Sequence, residues 1–291
     1  MQGELVRIGA EDGLELVGFY AAPKGGARRA VLHTHGLAGN FYENRFVSAL
    51  CAAVVESGLA FLTYNNRGHD YRSDNLMGDG VGTEVRLGGS SYDLFDECVL
   101  DIGGCASFLE GRGHSEIYFE GHSLGTNKTL FYLTERRDPR AVGVVLISPP
   151  DVFGLREQGL EGTIDVVVQR AAGLVESGRG EELVEAGYVV PFSAATVVSL
   201  YGHPERSDLF PFRLGRGGDF QALASLEPPL LATFGTVDEA VTVPVEEAAA
   251  LVRGAASAAE SVDVLIVNGA NHTYLGFEET LAEAVSDFVK P

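Results

Sequence analysis

The chain has 291 residues, 45% of them hydrophobic, with 37 glycines, three cysteines and a formal net charge of −20 at pH 7. That length buries a full core and suits one large α/β domain, or one domain carrying an insertion. The acidity argues against nucleic acid and anionic membrane as partners, and the longest aliphatic run, Ala141 to Ile147 with one glycine in it, is too short to span a bilayer.

The opening "MQGELVRIGAED" has early acids and no apolar core, so it does not read as a secretory signal. Glu4–Ile8 and Leu14–Ala21 alternate apolar and polar residues around "AEDG", which predicts an antiparallel hairpin. "AVLHTHG" (30–36) reads as the next strand and "FVSALCAAVVESG" (46–58) as a helix closed by Gly58. A strand over 59–68 leads into a long glycine-rich loop to Ser91, and 93–113 carries helical spacing. Cys51, Cys98 and Cys105 fall in helix-like stretches. They read as small buried hydrophobes in a reducing compartment, so a cytoplasmic location is expected.

Residues 116–133, "EIYFEGHSLGTNKTLFYL", pass from a buried strand into a helix through Gly121-His122-Ser123-Leu124-Gly125. So abrupt a turn brings two backbones together, and glycines two positions either side of the serine remove the side chains that would collide. Ser123 is then left at the tip of a strained turn. A serine at a helix start is also an ordinary N-cap, and in a chain with 37 glycines the pattern alone carries little weight. Its meaning depends on its partners.

Strands follow over 141–150, 228–235 and 262–269, with helices over 243–257 and 278–290. This alternation predicts a mostly parallel sheet covered by helices on both faces, with residues 1–150 and 226–291 as its core. Residues 151–225 break the alternation. They hold mainly helical periodicity, as in "TIDVVVQRAAGLVESG" and "GEELVEAGYVV", and are too long for an ordinary crossover, so a helical cap inserted over the carboxyl edge of the sheet is expected.

In such sheets function gathers at the carboxyl ends of strands. Asp238 and Glu239 follow one strand, His272 follows the last, and Gly36 follows "HTH". The order serine, acid, histidine is the one this constellation takes on an α/β sheet. A serine hydroxyl needs a base, and a histidine side chain, with an ordinary pKa of about 6.5, can serve as one near neutrality. An acid on the other ring nitrogen fixes the tautomer and stabilises the imidazolium. Asp238 is preferred over Glu239 and Asp151 because the short turn places it best. The oxyanion of a tetrahedral intermediate needs donors, for which the backbone N–H groups of Leu124 and Leu37 are placed. His33 and His35 share a strand face but have no third ligand beside them, so no metal and no cofactor are expected. His122 reads as a residue that packs or bonds locally.

At this point the chain resembles the α/β-hydrolase superfamily, through "HTHGLAG", "NNRGHD", "GHSLG", "GTVDEAV" and "NHTYLG" in family order. "GHSLGTNKTLFYL" and "TYNNRGHDYRSD" look most like bacterial hydrolases near siderophore and feruloyl esterases. The resemblance implies an eight-stranded, mostly parallel sheet with an inserted helical cap, and an esterase working through Ser123, His272 and Asp238. One departure is Asn66, where many relatives carry Asp. The expected substrate is a small ester with an apolar or aromatic portion, and cap aromatics such as Tyr188, Phe192, Tyr201, Phe210 and Phe212 are candidate pocket walls as well as cap core. A noncatalytic small-molecule receptor on the same fold is the alternative, since some receptors keep the triad.

Overall fold

A computed structural model describes residues 3–78, 84–158, 164–184 and 191–290. The first half runs β1 (Glu4–Gly9), β2 (Glu15–Ala21), β3 (Arg29–Thr34), α1 (Arg45–Glu56), β4 (Ala60–Tyr64), β5 (Ser73–Met77), β6 (Glu84–Gly88), α2 (Cys98–Gly111), β7 (Glu116–His122) and α3 (Leu124–Arg136). Then come β8 (Ala141–Ile147), α4 (Val152–Gln158), α5 (Ile164–Glu176), β9 (Leu183–Val184), β10 (Phe192–Ser193), α6 (Ala194–Tyr201), α7 (Pro204–Ser207) and α8 (Gln221–Ala224). β11 (Leu230–Gly235), α9 (Val245–Ala255), β12 (Val262–Val267) and α10 (Glu278–Val289) complete the chain.

Eight strands form one sheet in the order β1-β2-β4-β3-β7-β8-β11-β12. β2 runs antiparallel to both its neighbours, and the six strands from β4 to β12 are parallel to one another. The central strands are apolar along nearly their whole length because both faces are covered. One face packs Leu32, Leu62, Phe119 and Leu146 against α2, α3 and α9. The other packs Val31, Phe61, Val145 and Leu231 against α1 and α10. Cys51, Cys98 and Cys105 are buried in these layers, and burial raises the thiols' pKa, that of Cys51 to about 12.

Two elements differ from the sequence reading. The glycine-rich segment after β4 contains the hairpin β5–β6, tied to the rest by a bridge from Leu14 to Met77, while 79–83 lie outside the described residues. Leu183–Val184, expected as helix, pairs as a strand with Phe192–Ser193, so local apolar spacing gives way to a tertiary pairing.

Between β8 and β11 the chain leaves the carboxyl edge of the sheet and folds mainly as helices. This segment is bonded back to the core: Ser193 N donates to Ser91 O (2.7 Å), Phe95 N to Ser199 Oγ (2.8 Å) and Asn127 Nδ2 to Ser207 O (2.9 Å). The cap aromatics, expected mostly as cap core, are placed accordingly. Phe192, Tyr201, Phe210 and Phe212 are buried, with Phe212 packed on Phe210, Phe220 and Phe234, so they are packing core, and Tyr188 lies outside the described residues.

The tightest approach in the sheet is at the β7–α3 turn. A Cβ on Gly121 would lie 2.3 Å from the Gly125 carbonyl oxygen, and one on Gly125 would lie 2.1 Å from Thr34 O. Backbone cannot yield as a flexible side chain can, so Gly125→Ala should destabilise the protein by about 1–3 kcal/mol or more. Gly173, in α5, meets nothing within 4 Å, and Gly173→Ala should instead stabilise by about 0.5–1 kcal/mol through helix propensity. Urea denaturation of the two variants checks the opposite signs.

Candidate active site

Ser123 occupies the N-cap of α3 with φ 55° and ψ −133°, a conformation that L residues adopt only under constraint. Ser123 N donates to Ile147 O of β8 at 3.0 Å, and its carbonyl accepts Thr126 N at 2.8 Å. The hydroxyl stands beside the turn after β3, where a Cβ on Gly36 would meet Ser123 Oγ at 3.1 Å. Only glycine lets that turn lie so close.

The turn is held from behind. Gly36 O accepts His35 Nδ1–H at 2.9 Å and Gly39 N–H at 3.3 Å, and His35 Nε2 accepts the Asn66 N–H at 3.0 Å. His35 is fully buried, and burial drives its imidazole well below the usual histidine range, so it acts as a neutral donor and acceptor. Because a trans peptide sets C=O and the next N–H on opposite sides, fixing Gly36 O aims the Leu37 N–H away from His35. Neither the Leu37 N–H nor the Leu124 N–H donates a hydrogen bond among the described residues. Asn66, where an aspartate was the pattern, donates Nδ2–H to His35 O at 3.2 Å, a bond that an ionised carboxylate cannot make.

Asp238 follows β11 and His272 follows β12. His272 Nδ1 lies 2.8 Å from Asp238 Oδ1. A carboxylate only accepts, so Nδ1 carries the proton and Nε2 presents its lone pair. Asp238 Oδ1 also accepts the Ala240 N–H at 2.9 Å. Burial pushes the Asp238 carboxyl up, but His272, the neighbouring Ser148 hydroxyl and the Ala240 N–H outweigh it and hold the group below its ordinary value. No hydrogen bond joins Ser123 Oγ to the His272 ring.

The other candidate acids have other partners. Asp151, wholly buried, accepts from Gly154 N (2.8 Å), Arg213 N (2.7 Å), Arg213 Nη1 (2.7 Å) and Thr242 Oγ1 (2.9 Å). Glu239 Oε2 lies 3.4 Å from the His272 N–H. His33 Nδ1 pairs with Glu120 Oε1 at 2.7 Å on the α1/α10 face. Among the described residues, no three His, Cys, Asp or Glu side chains are grouped to hold a metal ion, and no helix is long and apolar enough to cross a membrane. Tyr42, Val237 and Leu275, on the turns that carry Gly36, Asp238 and His272, are exposed.

The sequence reading gave His35 no bracing role and took His122 as packing or bonding locally, without its distant partner. His122 Nε2 lies 2.9 Å from His272 O, a contact 150 residues apart in the chain that no local pattern encodes.

No protein-family model and no curated protein matches the chain. Solved structures do match. Est1E from Butyrivibrio proteoclasticus with ferulic acid bound is similar at a TM-score of 0.62 and 18% identity, over 97% of this chain and 96% of that one. The esterase domain of a Rhodothermus marinus protein gives 0.62 and 19%, over 100% and 98%. An α/β serine hydrolase homologue from Coxiella burnetii gives 0.57 and 18%, over 99% and 98%. With the strand order above, the chain has the α/β-hydrolase fold.

Two stability measurements follow. Asp151→Ala leaves the buried Gly154 N–H and the part-buried Arg213 N–H and Thr242 hydroxyl without this acceptor and half-strips Arg213, and should cost on the order of 3 kcal/mol in urea denaturation. Asp238 has a folded-state value below its ordinary 3.8, so its stabilisation is fully present above that pH and is lost as pH falls through the lower folded value. The stability gap between wild type and Asp238→Asn should therefore narrow as denaturation is repeated below about pH 4.

Proposed function

We propose that the protein is a cofactor-free serine hydrolase that cleaves a carboxylic ester through an acyl-enzyme. The observation that carries this reading is the pairing of His272 Nδ1 with Asp238 Oδ1 at 2.8 Å, with Ser123 half-buried at a strained turn near two N–H groups that donate to nothing among the described residues. Ser123 Oγ attacks the ester carbonyl while His272 Nε2 takes its proton. The Leu37 and Leu124 N–H groups receive the oxyanion, each worth about 3–4 kcal/mol in the transition state. His272 returns the proton to the departing alkoxide, and water repeats the sequence on the acyl-enzyme. Asp238 holds the tautomer throughout and stays ionised.

Residues 151–225 act in this reading as a cap over the carboxyl edge, supported by their exit from β8 and their bonds to Ser91, Phe95 and Asn127. A small ester with an apolar or aromatic portion is the proposed substrate. The exposed Tyr42, Val237 and Leu275 support that choice, as does the aromatic acid bound to Est1E.

Steady-state turnover of a panel of aryl and acyl esters tests the proposal. Ser123→Ala should lower kcat on the order of 10⁶-fold with the fold intact. For the wild type, kcat/KM should rise with pH as the free-enzyme base loses its proton. Near-normal turnover by Ser123→Ala would sink the assignment, and saturable binding of esters without turnover would point to a receptor.

A further inference from the structure

We infer that His122 is a positioning residue that ties the turn bearing Ser123 to the backbone of His272 and so sets the distance between nucleophile and base. The inference rests on the triad reading and adds to it a residue outside the triad.

The need for such a tie comes from the sheet. β7, which ends at the nucleophile, and β12, which precedes the base, are separated by β8 and β11. Three strand spacings amount to about 14 Å, so the turn after β12 has to reach back across two strands to bring its imidazole to Ser123. Most of its hydrogen bonds hold it to the β11 side. Gly269 N donates to Thr236 Oγ1 (2.8 Å), Val237 N to Ala270 O (3.0 Å) and Tyr274 OH to Thr233 Oγ1 (2.8 Å), beside the ring bond to Asp238. These bonds fix the base relative to its acid. They say nothing about its distance from the serine.

Among the described residues, one hydrogen bond crosses from this turn to the β7–α3 turn, the 2.9 Å contact between His122 Nε2 and His272 O. A carbonyl only accepts, so Nε2 carries the proton. His122 is joined to Ser123 by a peptide bond, so the length of this contact passes almost directly into the serine–base gap. The ring has little room to move. Its centroid lies 4.9 Å from the His272 ring and 4.9 Å from Phe46, which crosses it edge-on at 64°, and Phe46 also touches Tyr274 at 6.4 Å.

The tie also has to be neutral. When His272 becomes an imidazolium during the reaction, a second cation against it would oppose the transition state. Burial first, and then the neighbouring His272, push the His122 imidazole down to about 3, with His33 adding to this and Asp238 opposing it. The donor is therefore uncharged wherever the base is active.

The test compares His122→Phe, which keeps a flat ring without a donor, with His122→Gln, whose amide N–H falls near the imidazole Nε2. With an activated aryl ester, His122→Phe should lower kcat by about 10- to 100-fold while KM moves less than about twofold, the pattern of misplaced reacting groups rather than lost binding. His122→Gln should recover most of the loss. Wild-type kcat in His122→Phe, or an equal loss in both variants, overturns the inference. Should a variant fail to fold, ¹⁵N imidazole shifts of the wild type decide instead. His122 should stay the neutral Nε2–H tautomer from about pH 5 to about pH 9, and an Nδ1–H tautomer or a titration in that range overturns it. A wild-type chain that turns over no ester defeats the functional reading, and the imidazole shifts then judge the tie by themselves.

Discussion

Three backbones meet where β7 turns into α3. Gly121 leaves no room for a Cβ against the Gly125 carbonyl, Gly125 leaves none against Thr34 O, and Gly36 leaves none against Ser123. That contact makes Ser123 project from the sheet with positive φ, and it brings the turn after β3 within reach of the serine hydroxyl. The position of Ser123 and the approach of the turn after β3 are consequences of one steric arrangement. The strain at Ser123, about 1–3 kcal/mol for such a conformation, is supported by the hydrogen bonds of Ser123 N and O and by the packed sheet on either side.

Around that point the site is assembled from three turns, each braced separately. His35 and Asn66 orient the Gly36 carbonyl and, through the planar peptide, the Leu37 N–H. Ala240, Ser148 and His272 keep Asp238 charged although it is buried. The turn after β12 hangs mainly from β11 and is reached from the β7–α3 turn by His122. Burial does the same for His35 and His122, keeping both imidazoles neutral so that they act through direction rather than charge. In the proposed mechanism Asp238 and His272 are the groups whose charge matters, and His35 and His122 act as neutral donors.

Much of this was legible in the chain. Six of the eight sheet strands were legible because parallel strands covered on both faces are apolar runs, and the first two because they alternate around a turn; Ser123, Asp238 and His272 were singled out because each follows such a strand. What escaped depends on distant partners. Ser73–Met77, "SDNLM", carries too few apolar residues to announce a strand and pairs only in a hairpin with Glu84–Gly88. Asp151 looked like a rival acid until Arg213, 62 residues away, was found to occupy it. The cap aromatics read mostly as cap core, but their spacing does not say which rings face a cavity and which face neighbours; Phe210 and Phe212 face neighbours. The partner of His122 could not be read because it is a backbone carbonyl, which every residue has.

The central claim is that Ser123 is a nucleophile activated by His272. Incubation of the folded wild-type protein with a fluorophosphonate, followed by intact-mass and peptide mass spectrometry, tests it most directly. The account predicts one adduct per chain, carried on the peptide containing Ser123. An unmodified protein, or an adduct on any other residue, would contradict it.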